Sequence, residues 1–171
     1  LNLGLKVPFS TGTDWFIFDF SRAYVPIDAP VSSKDWLRAL ASGRSYITNG
    51  TFLEFRVGDS DVGDTIQPAE LAGLSVRGRA AGRNDFRKIE LIHNGKVVHA
   101  TGSKPVAGHF EAEMNFALVV DRPGWVALRI PWENNENELG HPLRAHTSPV
   151  YIELAGKRIF EPEVARELIA E

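Results

Sequence analysis

The chain has 171 residues, a formal net charge of −3 at pH 7, 43% hydrophobic residues and no cysteine. This composition excludes a disordered protein and favours one domain, or one domain with part of another. Lys and Arg are scattered, which argues against a basic face for nucleic acid. The absence of cysteine excludes disulfides and thiolate zinc sites. No apolar run reaches the length of about 18 residues that a membrane-spanning helix needs.

Residues 1–20 carry many aromatic rings and little sign of regular structure. The rings are Phe9, Trp15, Phe16, Phe18 and Phe20. We expect them to pack on an apolar surface, either of the following β-domain or at a seam with a second domain. A short strand is then predicted from Arg22 to Ile27, ending at Asp28-Ala29-Pro30.

A short amphipathic helix follows. Ser32 or Ser33 is a suitable N-cap, and Gly43 is placed to end the helix in the left-handed conformation. The apolar residues at helical spacing are Trp36, Leu37, Leu40 and Ala41. This spacing predicts about two and a half helical turns.

After Gly50 the hydrophobic period changes from helical to alternating, which indicates strands. Asn94-Gly95 is typical of a two-residue hairpin turn. The predicted inward-facing residues are Leu53, Phe55, Val57, Leu74, Val76, Gly78, Ala80, Phe110, Ala112, Met114, Phe116, Leu118 and Val120. Trp125 to Trp132 and Val150 to Leu154 form two later strands, and a last helix begins near Pro162.

About seven strands, each with one polar face, predict a mainly β protein. The expected architecture is an antiparallel immunoglobulin-like β-sandwich with a short helix near the N-terminus and a C-terminal helix. Polar outer faces argue against an all-parallel sheet, whose strands are apolar on both sides.

Several side chains are candidates for chemistry. Asp14 is able to ligate a divalent metal or act as a base, and the alternative is an Asx-turn. His93 and His109 are expected to face solvent. His146, before Pro149, is either a site residue or a buried histidine bonded to backbone.

Two acidic segments have simpler explanations than calcium binding. Residues 59–64 lack the spacing of an EF-hand loop, so a polar turn between strands is favoured. Residues 133–138 are rich in Glu and Asn, and we interpret them as a long solvated loop and a weak candidate for binding calcium or sugar hydroxyls. No nucleophile elbow and no phosphate-binding glycine loop is present in the sequence.

Three stretches form a pattern when they are taken together. They are Gly12-Thr13-Asp14, residues 36–50 ending in Gly43-Arg44-Ser45-Tyr46-Ile47-Thr48-Asn49-Gly50, and residues 145–152 beginning Ala145-His146-Thr147-Ser148-Pro149. This pattern resembles the C-terminal part of the CehA/McbA-type metallohydrolases, relatives of the PHP (polymerase and histidinol phosphatase) superfamily.

The resemblance implies an upstream distorted (β/α) barrel that holds a divalent metal, zinc or manganese, and hydrolyses ester, amide or phosphoester bonds. Asp14 matches the last metal ligand of the barrel. The family's upstream histidines are absent before it, so the chain is expected to be inactive and metal-free by itself. Residues 1–50 would be the end of the metallohydrolase domain with a connecting helix, and residues 51–171 a β-sandwich accessory domain with the C-terminal helix.

The resemblance also implies a partner, the upstream catalytic domain of the same protein, and self-association where that interface is left exposed. Arg44, Thr48, Asn49 and His146 would lie near the interface and bind substrate or the neighbouring domain. The alternative for each is structural: Arg44 bonded to carbonyls at the helix end, and Asn49-Gly50 in a tight turn.

Two other functions remain open. One is a free-standing β-sandwich module that binds carbohydrate or protein through Trp125, Trp132 and the acidic loop, since sugar rings stack on exposed aromatic side chains. The other is an adhesive or oligomerising immunoglobulin-like domain. Exposed aromatic rings on one sheet face would favour the carbohydrate module.

Overall fold

The computed structural model describes residues 1–12, 21–68, 73–132 and 135–170. The helices are α1 (Ser33–Ala41) and α2 (Pro162–Ala170). The strands are β1 (Arg22–Tyr24), β2 (Tyr46–Thr48), β3 (Phe52–Val57), β4 (Ser60–Asp61), β5 (Thr65–Ile66), β6 (Gly73–Gly82), β7 (Lys88–His93), β8 (Lys96–Gly102), β9 (Lys104–Val106), β10 (His109–Val119), β11 (Gly124–Ile130), β12 (Ala145–Thr147) and β13 (Val150–Ile152).

The strands form two sheets. The smaller sheet has the order β4-β3-β6-β10-β9, and the larger has the order β1-β2-β12-β11-β13-β5 with β7 between β11 and β8. All pairs are antiparallel except β13 with β5. The expectation of a mainly β protein with antiparallel sheets and two helices is confirmed, and the arrangement is consistent with a β-sandwich. The immunoglobulin-like topology stays a prediction.

The main core lies between the sheets and follows the alternation in the sequence. Leu53, Phe55 and Val57 of β3 are buried there, as are alternate residues of β6 and β10. Gly78 leaves room for a larger neighbour, because a Cβ at this position would lie 3.1 Å from Leu128 Cδ1. Alternating residues therefore position both sheets by burying one face of each strand.

Strand β11 does not have the polar outer face that the alternation predicted. It is buried along almost its whole length, with only Arg129 half-buried. Trp125 and Ala127 belong to a second apolar cluster, on the opposite face from the main core, with Ile92, Tyr151 and Ile159. The prediction of one polar face per strand is wrong for β11, because the two ends of the chain cover its outer face.

The N-terminal segment, residues 1–9, is fixed to this outer face by hydrogen bonds. Trp125 Nε1 donates to Asn2 Oδ1 at 2.6 Å, and Val7 N donates to the Tyr151 hydroxyl at 3.1 Å. The C-terminal segment meets it, since Glu161 N donates to Asn2 O at 2.9 Å. Residues far apart in sequence thus close the second cluster.

Both helices begin as the sequence predicts, but no described side chain of either helix is fully buried. Ser32 is the N-cap of α1, with Asp35 N donating to Ser32 Oγ at 3.1 Å, and Gly43 ends the helix with φ +76°. In the part of the chain that the structure describes, no helix is long and apolar enough to span a membrane.

Candidate functional site

A groove lies on the outer face of the larger sheet, beside the N-terminal segment. A row of successive cross-strand partners, Ile47, His146 and Arg129, lines the groove, and the row continues beyond the lining to Glu90 of β7. The volume of the groove is about 210 Å³. We call it the Arg129 groove and define it by Ile47, Thr48, Arg129, Trp132, Arg144 and His146.

Arg129 and Glu90 form the charged part of the row. Arg129 Nε donates to Glu90 Oε2 at 2.8 Å, and Lys88 Nζ lies 2.7 Å from Glu90 Oε1. Burial raises the pKa of the Glu90 carboxyl, but the hydrogen bonds from Lys88 and Arg129 outweigh it and hold that pKa below its usual value. Glu90 is therefore an ionised carboxylate shared between two cations at neutral pH.

His146 presents a neutral ring to the groove. Its Nδ1 lies 2.7 Å from the Thr147 carbonyl oxygen, which can only accept a hydrogen bond. The proton is therefore on Nδ1, and Nε2 is an acceptor. Burial lowers the pKa of His146; the Thr147 carbonyl opposes this and Arg129 adds to it. Of the two interpretations of His146, the bond to backbone is present, and the ring also lines the groove.

Thr48 lines the groove and holds the turn after β2. It is 6% exposed, and its Oγ1 accepts hydrogen bonds from Gly50 N at 3.0 Å and Thr51 N at 2.9 Å. These bonds give the Asn49-Gly50 step its tight turn.

Asn49 is only 2% exposed and acts as a bridge between two loops. Its Nδ2 donates to Pro142 O at 2.8 Å, and its Oδ1 accepts from Arg144 N at 2.8 Å. Asn137 Nδ2 donates to Asn49 O at 3.2 Å. Asn49 therefore orders the backbone of Arg144, a lining residue, without lining the Arg129 groove itself.

Arg44 lies apart from the Arg129 groove. Its Nη2 lies 3.2 Å from Asp64 Oδ1, and Asp64 also accepts a hydrogen bond from Asp61 N at 3.0 Å. The polar turn predicted for residues 59–64 is thus tied to the end of α1. The structure does not bring Arg44 together with Thr48 and His146.

Asp14, the predicted metal ligand, lies outside the described residues, as do Glu133 and Asn134 of the acidic loop. Within residues 1–12, 21–68, 73–132 and 135–170, no group of three or more His, Asp or Glu side chains is arranged to hold a metal ion. The expectation of zinc or manganese in a longer protein stays a prediction.

Two of the three stretches of the sequence pattern, residues 36–50 and 145–152, meet beside the groove. Strand β2 pairs with β12, so that Ile47 lies opposite His146. Phe9 N donates to Ser148 Oγ at 3.2 Å, and Ser45 Oγ donates to Phe9 O at 2.7 Å. Thr11 and Ser21, on either side of the segment that carries Asp14, both line the groove.

The sequence analysis did not identify Arg129 and Glu90 as site residues. A signal for Arg129 exists, because it is the one charged residue in an otherwise apolar strand, Gly124–Ile130. Glu90 likewise interrupts a buried strand, but no local pattern pairs residues 39 positions apart.

His93 differs from its predicted position in solvent. Its Nε2 is buried and has no hydrogen-bond partner among the described residues. Burial lowers the pKa of the ring, and Arg122 adds to this while Asp121 opposes it. His109, in contrast, is partly exposed and bonded to Glu111 at 2.8 Å.

Comparisons of the chain with family models, with curated proteins and with solved structures give no significant match. The relationship to the CehA/McbA-type metallohydrolases therefore stays a prediction from the sequence pattern.

Proposed function

We propose that this chain is a β-sandwich accessory domain of a metal-dependent hydrolase of the type that its motifs resemble, and that the Arg129 groove faces the catalytic domain. One observation supports the proposal: two of the motif stretches, residues 36–50 and 145–152, meet at this groove although they are distant in sequence, and Phe9 and Thr11, just before the third stretch, lie beside them. Residues that meet in this way are suited to act together on one ligand or one partner surface.

Helix α1 gives a second line of support for a partner domain. None of its described side chains is fully buried, and Leu37 is 58% exposed. Val31, just before the helix, is also exposed. Trp36 and Leu40 are only half-buried. An amphipathic helix whose apolar side is only partly covered is expected where another domain packs, or where two copies associate in its absence.

In this proposal the catalytic domain supplies a zinc or manganese ion, with Asp14 as one of its ligands. The accessory domain supplies groups that orient the substrate, mainly the fixed neutral ring of His146 and the guanidinium of Arg129. Thr48 and Asn49 hold the walls of the groove in place.

Hydrolysis assays on the chain and on a longer protein that contains it test the proposal. The substrates are p-nitrophenyl esters and phosphodiesters with added Mn²⁺ or Zn²⁺. We expect the 171-residue chain to be inactive and the longer protein to be active. In the longer protein, His146→Gln should lower kcat/KM by about tenfold or more, whereas the matched control His99→Gln should not.

Hydrolysis by the chain alone, with tightly bound metal, would contradict the accessory role. An unchanged kcat/KM in the His146→Gln protein would mean that the Arg129 groove does not contribute to the active site.

A second candidate, a free-standing carbohydrate-binding module, has one observation in its favour. Trp132 is 63% exposed at the rim of the groove. Trp125, the other aromatic residue considered for this role, is buried in the second apolar cluster. Affinity electrophoresis in polysaccharide gels, with Trp132→Ala as the variant, tests this candidate: retardation that depends on Trp132 would support it.

A further inference from the structure

The Arg129 groove has mostly apolar walls and one charged end. Ile47, Ile130, Pro131, Ala145 and Trp132 form the walls. The volume of about 210 Å³ is below that of pockets for drug-sized ligands, about 300–1,000 Å³. The groove therefore fits a small molecule with an apolar body.

The charged side chains of the groove favour an anionic group on that molecule. Lys88 and Arg129 share the one carboxylate of Glu90, so these three groups carry a net charge of +1. Arg144 also lines the groove and adds a further positive charge, and its Nη2 donates to Ser21 Oγ at 3.2 Å. Arg129 uses Nε for Glu90, and its two Nη groups make no hydrogen bond to a described residue. A guanidinium with both Nη groups available binds a carboxylate through two parallel hydrogen bonds.

His146 adds a polar group to the groove without adding charge. Its Nδ1 proton is held by the Thr147 carbonyl at 2.7 Å, and the ring packs against Phe9 at a centroid distance of 5.1 Å. The neutral ring leaves the charge balance at the Arg129 end unchanged.

From these observations we infer that the groove binds a small organic carboxylate, with the carboxylate on the Nη groups of Arg129 and the apolar body against Trp132. The inference concerns ligand binding by the chain itself, and it stands apart from the proposal of a metal-dependent hydrolase. No catalytic domain and no metal are needed for it.

Titration of the ¹⁵N-labelled chain with benzoate, followed by NMR, tests the inference. We expect saturable shifts at the backbone amides of Arg129, Ile130, Trp132 and residues 145–147, with a dissociation constant on the order of 1 mM. Benzamide, which has the same shape without the charge, should not bind at these concentrations. Phenyl phosphate and inorganic phosphate should bind more weakly than benzoate.

Three variants assign the contacts. Arg129→Lys keeps the ion pair with Glu90 but lacks the planar fork, so benzoate binding should weaken by about tenfold. Trp132→Ala changes an exposed side chain and should also weaken binding without altering the fold. Arg79→Lys, an exposed arginine with ion pairs on the other sheet, is the matched control and should bind benzoate as the unmodified chain does.

Equal binding of benzoate and benzamide would overturn the inference, as would tighter binding of phenyl phosphate. The same holds if benzoate gives no saturable shifts, or if Arg129→Lys and Trp132→Ala, each with an unchanged unfolding transition, bind benzoate normally.

Discussion

Asn49 stabilises the turn between β2 and β3 by bonding to the loop before β12. Its amide satisfies Pro142 O and Arg144 N in a buried position. Asn49→Ala should therefore lower the free energy of unfolding by about 1–3 kcal/mol, because both partners lose their hydrogen bonds. Urea denaturation measures this change.

Asn115→Ala provides the control for Asn49, since Asn115 is exposed on the outer face of β10. Its effect should be within about 0.5 kcal/mol. Equal stability of the two variants would contradict the structural role of Asn49.

The two histidines with lowered pKa make the stability of the chain depend on pH. Burial lowers the pKa of His146 and of His93 in the folded chain. Both rings therefore stay neutral at pH values below the ordinary histidine pKa of 6.5. The unfolded chain takes up protons first as the pH falls, so this stabilisation is present above pH 6.5 and is lost below it. We expect the free energy of unfolding to fall between about pH 7 and pH 5.

Urea denaturation at a series of pH values measures this slope. His146→Gln and His93→Gln should each flatten it, and Asn115→Ala, which removes no titratable group and lies on an exposed face, should leave it unchanged. If the free energy of unfolding still falls as steeply with pH in both histidine variants, His146 and His93 are not the cause of the pH dependence.

At the scale of elements, the end of α1 rests directly on the turn between β4 and β5. A Cβ at Gly63 would lie 2.6 Å from Ser42 O, and Gly63 has φ +85°. Gly58 also has a positive φ, +59°, but nothing lies within 4 Å of its Cβ position. A substitution at Gly58 therefore measures the cost of backbone strain alone, and a substitution at Gly63 measures the cost of strain and close contact together.

Gly58→Ala should cost about 1–2 kcal/mol from the left-handed conformation alone. Gly63→Ala should cost about 1–3 kcal/mol more, because two backbone segments must move apart. Thermal or urea unfolding gives both values. Equal costs would mean that α1 does not rest on this turn in solution.

The N-cap of α1 gives a local prediction. Ser32→Ala removes the acceptor for Asp35 N and should destabilise the helix by about 1 kcal/mol. Because no described side chain of the helix is fully buried, the loss should appear as faster amide hydrogen exchange in residues 33–41 rather than as global unfolding. Ser33→Ala is the matched control, and equally fast exchange in both variants would refute the cap.

The sequence predicts these elements well where the signals are local. The cap at Ser32, the terminator Gly43, the Asn94-Gly95 turn and the inward face of β3 depend on neighbours within a few residues. The double burial of β11 could not be predicted, because the cover of its outer face comes from both ends of the chain.

The candidate site was predictable only in part for the same reason. Thr48 and His146 follow from the motif pattern, and both line the groove. The Arg129–Glu90 ion pair depends on the register between β11 and β7, which no local pattern specifies. The structural bonds of Asn49 reach residues more than ninety positions away.

For the whole molecule, the two ends of the chain should contribute very differently to stability. Deleting residues 1–9 uncovers Trp125 and Tyr151 and removes their bonds to Asn2 and Val7. We expect a loss of several kcal/mol, since each large apolar side chain uncovered costs about 1.5–3 kcal/mol. Deleting residues 162–171 removes α2, in which no described side chain is fully buried, and should lower stability much less than the first deletion does.

Urea unfolding of the two truncated chains tests this contrast. A small effect of the first deletion would mean that the N-terminal segment leaves the sheet in solution.

The contact between Asn2 and Glu161 also has a topological consequence. Because the chain enters and leaves the folded unit at neighbouring points, a short linker between residues 2 and 161 would make a closed ring. Such a ring can be opened at a surface turn such as Ala107-Gly108, where both residues are exposed, to give a circular permutant. The same geometry would allow the unit to be inserted into an exposed loop of another protein, with the host chain continuing on either side of it.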